Sequence, residues 1–283
     1  MIFLSESAMK LSLSVRIVEA RCKTKLFVPF EEVVSIAAET GYDAICMRAS
    51  AGGVNTRLDQ LQSMRDTVGR AGLRVSMVTA DSKVPLNTDD GPDSLRDIGP
   101  SLDVAESLQC DLIRVCLKTS EDIAFAKEAA DRAAERGIRL AHQCHTSSMF
   151  EQVEPMLQVL RQIGRPNFGV IYEPANLMLC GQTYGEETLR ALQPWLLNAY
   201  FQNHILDPDG PEALPTFCRG TVRYGFLDPW EAGGVDVEEM LQGFRAINYD
   251  GYLTIHQAQG IQDVDGAKLF ARQCAEFFRG ECS

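Results

Sequence analysis

The sequence predicts an α/β chain folded as one (β/α)8 (TIM) barrel, and three observations carry that expectation. One local phrase recurs: an amphipathic helix, a glycine, one to three residues, then an apolar strand. It reads "VVSIAAETGYDAICMR", "MRDTVGRAGLRVSMV", "ADRAAERGIRLAHQC" and "LQVLRQIGRPNFGVIY", with a fifth copy, "LQGFRAINYDGYLTI", in which Asn248 replaces the glycine. Strand-like and helical stretches alternate strictly, which implies parallel pairing through right-handed crossovers. Eight such units in 283 residues suit the size of a closed barrel. A doubly wound open sheet is the alternative, but no G-x-G-x-x-G follows an early strand to cradle a phosphate.

The elements follow in order. Residues 1–8, "MIFLSESA", lack the basic start and long apolar centre of a signal peptide. They read as a disordered extension ahead of a barrel spanning 9–283. Strands are expected at 11–17, 44–48, 74–79, 112–117, 139–144, 168–172, 198–203 and 252–255, each followed by a helical stretch. Gly41, Gly72, Gly137, Gly164 and Asn248 are residues that tolerate the left-handed turn closing a helix. One connection, 205–236, is long and rich in Pro and Gly. A loop of that length after a barrel strand is expected to cover the mouth.

Composition narrows the function classes. A net charge of -12 repels polyphosphate backbones and argues against nucleic-acid binding. No apolar run approaches the roughly 20 residues needed to cross a bilayer, so a membrane role is not expected. Nine cysteines without a C-x-x-C pair, several inside apolar runs, fit free thiols in a reducing cytoplasm.

The chain holds four histidines, and all fall where strands end. Barrels bind and catalyse at the C-terminal ends of their strands. His142 and His145 close the fifth strand, His204 the seventh and His256 the eighth. Strand alternation sends Gln143 and His145 inward and His142 outward, and it also turns Glu173, His204 and His256 inward. Gln143, Glu173, His204 and His256 are thus expected to meet as a divalent-metal site. The other reading is a hydrogen-bonded polar plug.

These positions carry a resemblance. "RGIRLAHQCH", "FGVIYEPAN", "FQNHILD" and "YDGYLTIH" resemble the strand-five, strand-six, strand-seven and strand-eight motifs of the xylose isomerase-like barrel family. That family includes sugar-phosphate isomerases and epimerases, ketose 3-epimerases, dehydratases and AP endonucleases. The likeness runs from Met9 to Phe278. The family's metal ligands, Glu, Asp, His and Glu, fall by this resemblance on Gln143, Glu173, His204 and His256. Only His204 keeps the family's residue. Gln143 and His256 replace the glutamates that pass protons in the epimerases, so a two-glutamate mechanism is in doubt. One carboxylate and two imidazoles imply Mn, Zn, Co or Ni rather than Mg.

The resulting expectation is a metal-dependent isomerase or epimerase acting on a small carbohydrate, with proton abstraction beside a carbonyl. His145, Glu173 and His256 are the candidate catalytic groups, His145 serving as general acid or base. Arg48, Lys118, Asn176 and Arg223 are candidate substrate contacts. Trp230, Phe217 and Phe226 could wall a sugar ring or merely anchor the loop. A lyase performing β-elimination is the runner-up, and a non-catalytic sugar-binding barrel stands third. The AP-endonuclease branch wants more metal ligands and a basic face than this chain offers. A homo-oligomer is expected by analogy alone.

Overall fold

The computed structural model describes residues 9–257 and 260–281; the expected N-terminal extension lies outside them. Eight parallel strands close the barrel: β1 (Lys10–Ser14), β2 (Ala44–Arg48), β3 (Arg74–Thr79), β4 (Leu112–Val115), β5 (Arg139–Gln143), β6 (Phe168–Tyr172), β7 (Leu196–Phe201) and β11 (Tyr252–Ile255). The order around the ring is β1-β11-β7-β6-β5-β4-β3-β2, and β2 pairs with β1 to close it.

The helices form the outer ring: α1 (Phe30–Glu39), α2 (Leu58–Arg70), α3 (Lys83–Leu86), α4 (Asp93–Arg96), α5 (Gly99–Ser107), α6 (Asp122–Ala134), α7 (Val153–Ile163), α8 (Pro174–Leu179), α9 (Glu186–Leu192), α10 (Val237–Ala246) and α11 (Val264–Glu281). Each long helix turns an apolar face inward, as Met156, Leu157, Val159, Leu160 and Ile163 of α7 do. The expected helix stops hold: Gly41, Gly72, Gly137, Gly164 and Asn248 all have positive φ, between 52° and 84°.

The strands alternate as a barrel wall must. Leu140, Val170, Leu253 and Ile255 pack outward in the main core, while Cys46, Met77, Leu112, Ala141, Ile171 and Tyr200 fill the barrel interior. Polar pairs complete that interior, including Ser12 with Ser76 at 2.7 Å and Thr254 with Asn198 at 3.3 Å.

Two segments depart from the sequence expectation. The first strand stops at Ser14, and Val15–Val18 form a 3-10 turn instead. Ser14 Oγ accepts the Arg16 N–H at 3.2 Å, capping the turn and diverting an apolar run that reads as strand. The long connection is not irregular. It folds into a three-stranded antiparallel sheet of β8 (His204–Leu206), β9 (Glu212–Thr216) and β10 (Gly220–Phe226). Leu214, Pro215, Tyr224 and Phe226 of that sheet reach the barrel mouth, as a covering loop would. Among the described residues, no helix is long and apolar enough to cross a membrane. The eight described cysteines are free thiols, six of them buried.

Candidate active site

At the C-terminal ends of the strands lies a cavity of about 270 Å³. Gln143 and His145 reach it from β5 and the turn beyond, Asn176 from α8, Gln202 and His204 from the end of β7 and start of β8, and His256 from the end of β11. Arg48 enters from β2 and Arg114 from β4, with Arg16 and Lys23 at the rim above β1. Among the described residues, four cations therefore line the wall and no carboxylate does. In a protein of net charge -12, that is a local reversal of sign.

Glu173 stands behind the wall. It is fully buried, and its carboxylate accepts from three side-chain amides: Gln143 and Asn176 at Oε2, Gln202 at Oε1. Asn176 is itself tied to the Cys144 carbonyl at 2.9 Å. Burial pushes the Glu173 carboxyl up to about 7, against the pull of the amides and of Arg114. The three amides that grip Glu173 are the same ones that face the cavity, so Glu173 orients the wall without being part of it.

His256 is committed on both ring nitrogens. Arg48 Nη1 lies 3.2 Å from His256 Nε2, and His256 Nδ1 lies 3.0 Å from Ser14 Oγ. A guanidinium can only donate, so Nε2 must be the acceptor and Nδ1 must carry the proton. The ring stacks on Tyr200 at 3.9 Å between centroids. Burial and the Arg48 charge hold its pKa well below the ordinary value. Arg48 is fixed from the other side by Glu19, whose Oε1 accepts from Nε at 2.9 Å; Glu19 also pairs with Arg16 at 3.0 Å.

The other two cavity imidazoles are less engaged. His145 Nδ1 lies 2.8 Å from the Thr146 carbonyl, which only accepts, so Nδ1 carries the proton and Nε2 keeps its lone pair. His204 has no partner for either ring nitrogen among the described residues. Its ring sits between Tyr224 at 4.6 Å and Phe226 at 5.0 Å. Burial holds both imidazoles at about 3, with Arg114 adding to the effect on His145; both are neutral at pH 7.

A divalent cation does not fit this arrangement. Gln143, Glu173, His204 and His256 are drawn to one end of the barrel, as alternation requires, but they do not compose a ligand set. His256 has no free nitrogen, Glu173 is the one carboxylate of the four and is wrapped by amide donors, and two guanidiniums line the same cavity, where a second and third positive charge oppose a cation. Among the described residues, the one group of His, Cys, Asp and Glu side chains close enough to share an ion is Glu151, Cys180 and Cys218. There the carboxylate already accepts the backbone N–H groups of Ser147, Phe217 and Cys218.

The remaining expected contacts divide. Arg48 and Asn176 line the cavity. Lys118 does not: its Nζ donates to the Asn87 carbonyl at 2.9 Å and ties down the loop after β3. Arg223 points away on the exposed face of β10, donating to the Gly210 carbonyl at 2.5 Å. Alternation along an antiparallel ribbon put Tyr224 inward and so sent Arg223 out. Phe226 walls the cavity, whereas Phe217 is 65% exposed and Trp230 packs on Phe270. His142 faces outward against Phe150. Sequence reasoning passed over Arg114, Arg16, Glu19 and Lys23. Arg114 was findable, being an arginine at an inward position of the apolar run "LIRVC".

A family model described as xylose isomerase-like TIM barrel matches residues 34–271, and the chain belongs to that family. No curated protein matches the sequence. Among solved structures, the probable 3-DHS dehydratase AsbF from Bacillus anthracis superposes with a TM-score of 0.70 at 15% identity, over 94% of this chain and 98% of that one. D-allulose 3-epimerase from Methylomonas sp., in complex with D-allulose, gives 0.68 at 14%, over 97% of each chain. A xylose isomerase-like TIM barrel protein from Mycobacterium smegmatis, in complex with magnesium, gives 0.69 at 13%, over 99% and 100%. At such identities the likeness is one of fold. Two of these neighbours are named for activities, an epimerase and a probable dehydratase.

Proposed function

We propose that this protein is an isomerase- or epimerase-type enzyme that moves a proton at the carbon beside a carbonyl of a small polyhydroxylated substrate. One observation carries the reading. His145 and His204, each with an unengaged ring nitrogen, open onto one cavity lined, among the described residues, by four cations and no carboxylate. His145 Nε2 holds the lone pair that takes the proton. The enediolate so formed is negative, and the guanidiniums of Arg48 and Arg114 oppose that charge. The amides of Gln143, Asn176 and Gln202 meet substrate hydroxyls, while Tyr224 and Phe226 hold the His204 ring for proton return. No step is assigned to a metal.

β-Elimination is the second reading. Gln143 and His256 stand where the resemblance expects a pair of glutamates, so proton exchange between two carboxylates has no second carboxylate here. With a leaving group on the next carbon, the same proton abstraction gives a lyase.

The test is a panel of keto-sugars and ketoglycosides incubated with the protein in D₂O and followed by proton NMR. Deuterium entry beside the carbonyl is expected, and loss of a leaving group would mark the lyase outcome. His145→Gln and His204→Gln should each slow exchange by about 10² to 10⁴. Absence of exchange with every member would leave a binding barrel instead.

A further inference from the structure

We infer that the pair Arg48 and Arg114 stands in for a divalent cation, making the cavity a metal-free oxyanion site for a substrate that carries its own carboxylate or phosphate. The inference rests on the same cavity being the active site and adds the charge of what it binds.

Arg114 is the principal observation. It is 4% exposed, lines the cavity, and has no hydrogen bond and no ion pair among the described residues; its Nε is fully buried without a partner. Its guanidinium carbon lies 6.0 Å from the centroid of the Tyr200 ring. Glu173, behind the wall, attracts this guanidinium through space but does not bond to it. A buried guanidinium without a hydrogen-bonded counter-ion is costly, and a ligand can supply the missing anion.

Arg48 is prepared in a different way. Glu19 takes Nε and His256 takes Nη1, which leaves Nη2 unspent among the described residues. Glu19 and His256 are therefore positioning residues, holding a flat fork with its free edge available. Guanidinium edges match carboxylate and phosphate oxygens in pairs, which a point cation does not. The commitment of both His256 nitrogens, which removes a ligand from a metal, is what aims Arg48. Gln143 Oε1, buried and without a partner, can accept from a substrate hydroxyl beside the acid head.

The test uses the whole protein at low ionic strength and reads thermal unfolding. The probes are D-gluconate, glucose 6-phosphate, uncharged glucitol and Mn²⁺ alone. At least one of the two anions should raise the midpoint, and which one does so identifies the head group. Glucitol and Mn²⁺ should not. Arg114→Met should fold at least as stably as the parent, since it removes a buried charge that has no hydrogen bond or ion pair, and should bind the active anion at least about 30-fold more weakly. Arg114→Gln serves as a second variant, and if neither folds the four probes on the parent protein decide. The inference is overturned if neither anion shifts the midpoint, if the anion effect survives in the Arg114 variants, or if Mn²⁺ stabilises the parent but not His204→Ala. Deuterium exchange can fail while anion binding persists, so the two readings fail separately.

Discussion

A carboxyl group sealed from water and gripped by three amide N–H groups behaves unlike a free glutamate. Glu173, held near 7 chiefly by burial, keeps its proton in the folded chain after an unfolded glutamate has lost it. Stability is therefore lost as pH rises from about 4.5 to about 7, and is constant above that. Glu173→Gln should remove this dependence. The difference between the two proteins should change by about 3 kcal/mol across the window, read from urea unfolding at both ends. An unchanged difference would mean Glu173 titrates normally. The residues of the site were legible from strand alternation, because a period of two decides which face each side chain takes. Their bonds were not. That His256 engages Arg48 depends on β2 and β11 lying on either side of β1, far apart in the chain.

Among the elements, the β9–β10 hairpin matters most, since it brings Leu214, Pro215, Tyr224 and Phe226 over the mouth. Its anchor is Glu151, whose Oε1 accepts from Phe217 N at 2.8 Å and Oε2 from Cys218 N at 2.9 Å, with Ser147 N as a third donor. Ser147 Oγ adds a bond to the Pro215 carbonyl at 2.8 Å. Glu151→Ala orphans three N–H groups, each worth about 1 kcal/mol or more. It should speed hydrogen exchange across 212–226, with little change in the barrel strands. If exchange there is unaltered, the hairpin is held by something else. The hairpin escaped sequence reasoning because Pro, Gly and charged residues break the alternation that reveals strands. The barrel strands and helix stops did not escape it, because each repeats the same local grammar.

Across the whole molecule, three neutral histidines line a basic cavity, and a fourth, His142, is buried outside it. An unfolded histidine takes a proton near pH 6.5, whereas His145 and His204 refuse it until about 3, and His142 and His256 are lowered too. Between those limits the unfolded chain binds more protons, so stability falls as pH falls, by about 1.4 kcal/mol per pH unit for each such histidine. This opposes and outweighs Glu173. The urea midpoint should drop clearly between about pH 6.5 and pH 5, and replacing His204 by Gln should lessen the drop. A flat midpoint would place these imidazoles in contact with water.

Taken alone, the sequence determined the barrel, the order of its strands along the chain, the turns that end its helices and the rim at which its polar candidates gather. All of these follow from periodicity and from residues within a turn or two of one another. Only the tertiary structure decided what the polar side chains do on meeting. Whether an imidazole faces a metal or a guanidinium, and whether an arginine finds a carboxylate or stays unpaired, turns on distances between strands that share no local sequence. Charge acts through space, and the sequence records only order along the chain.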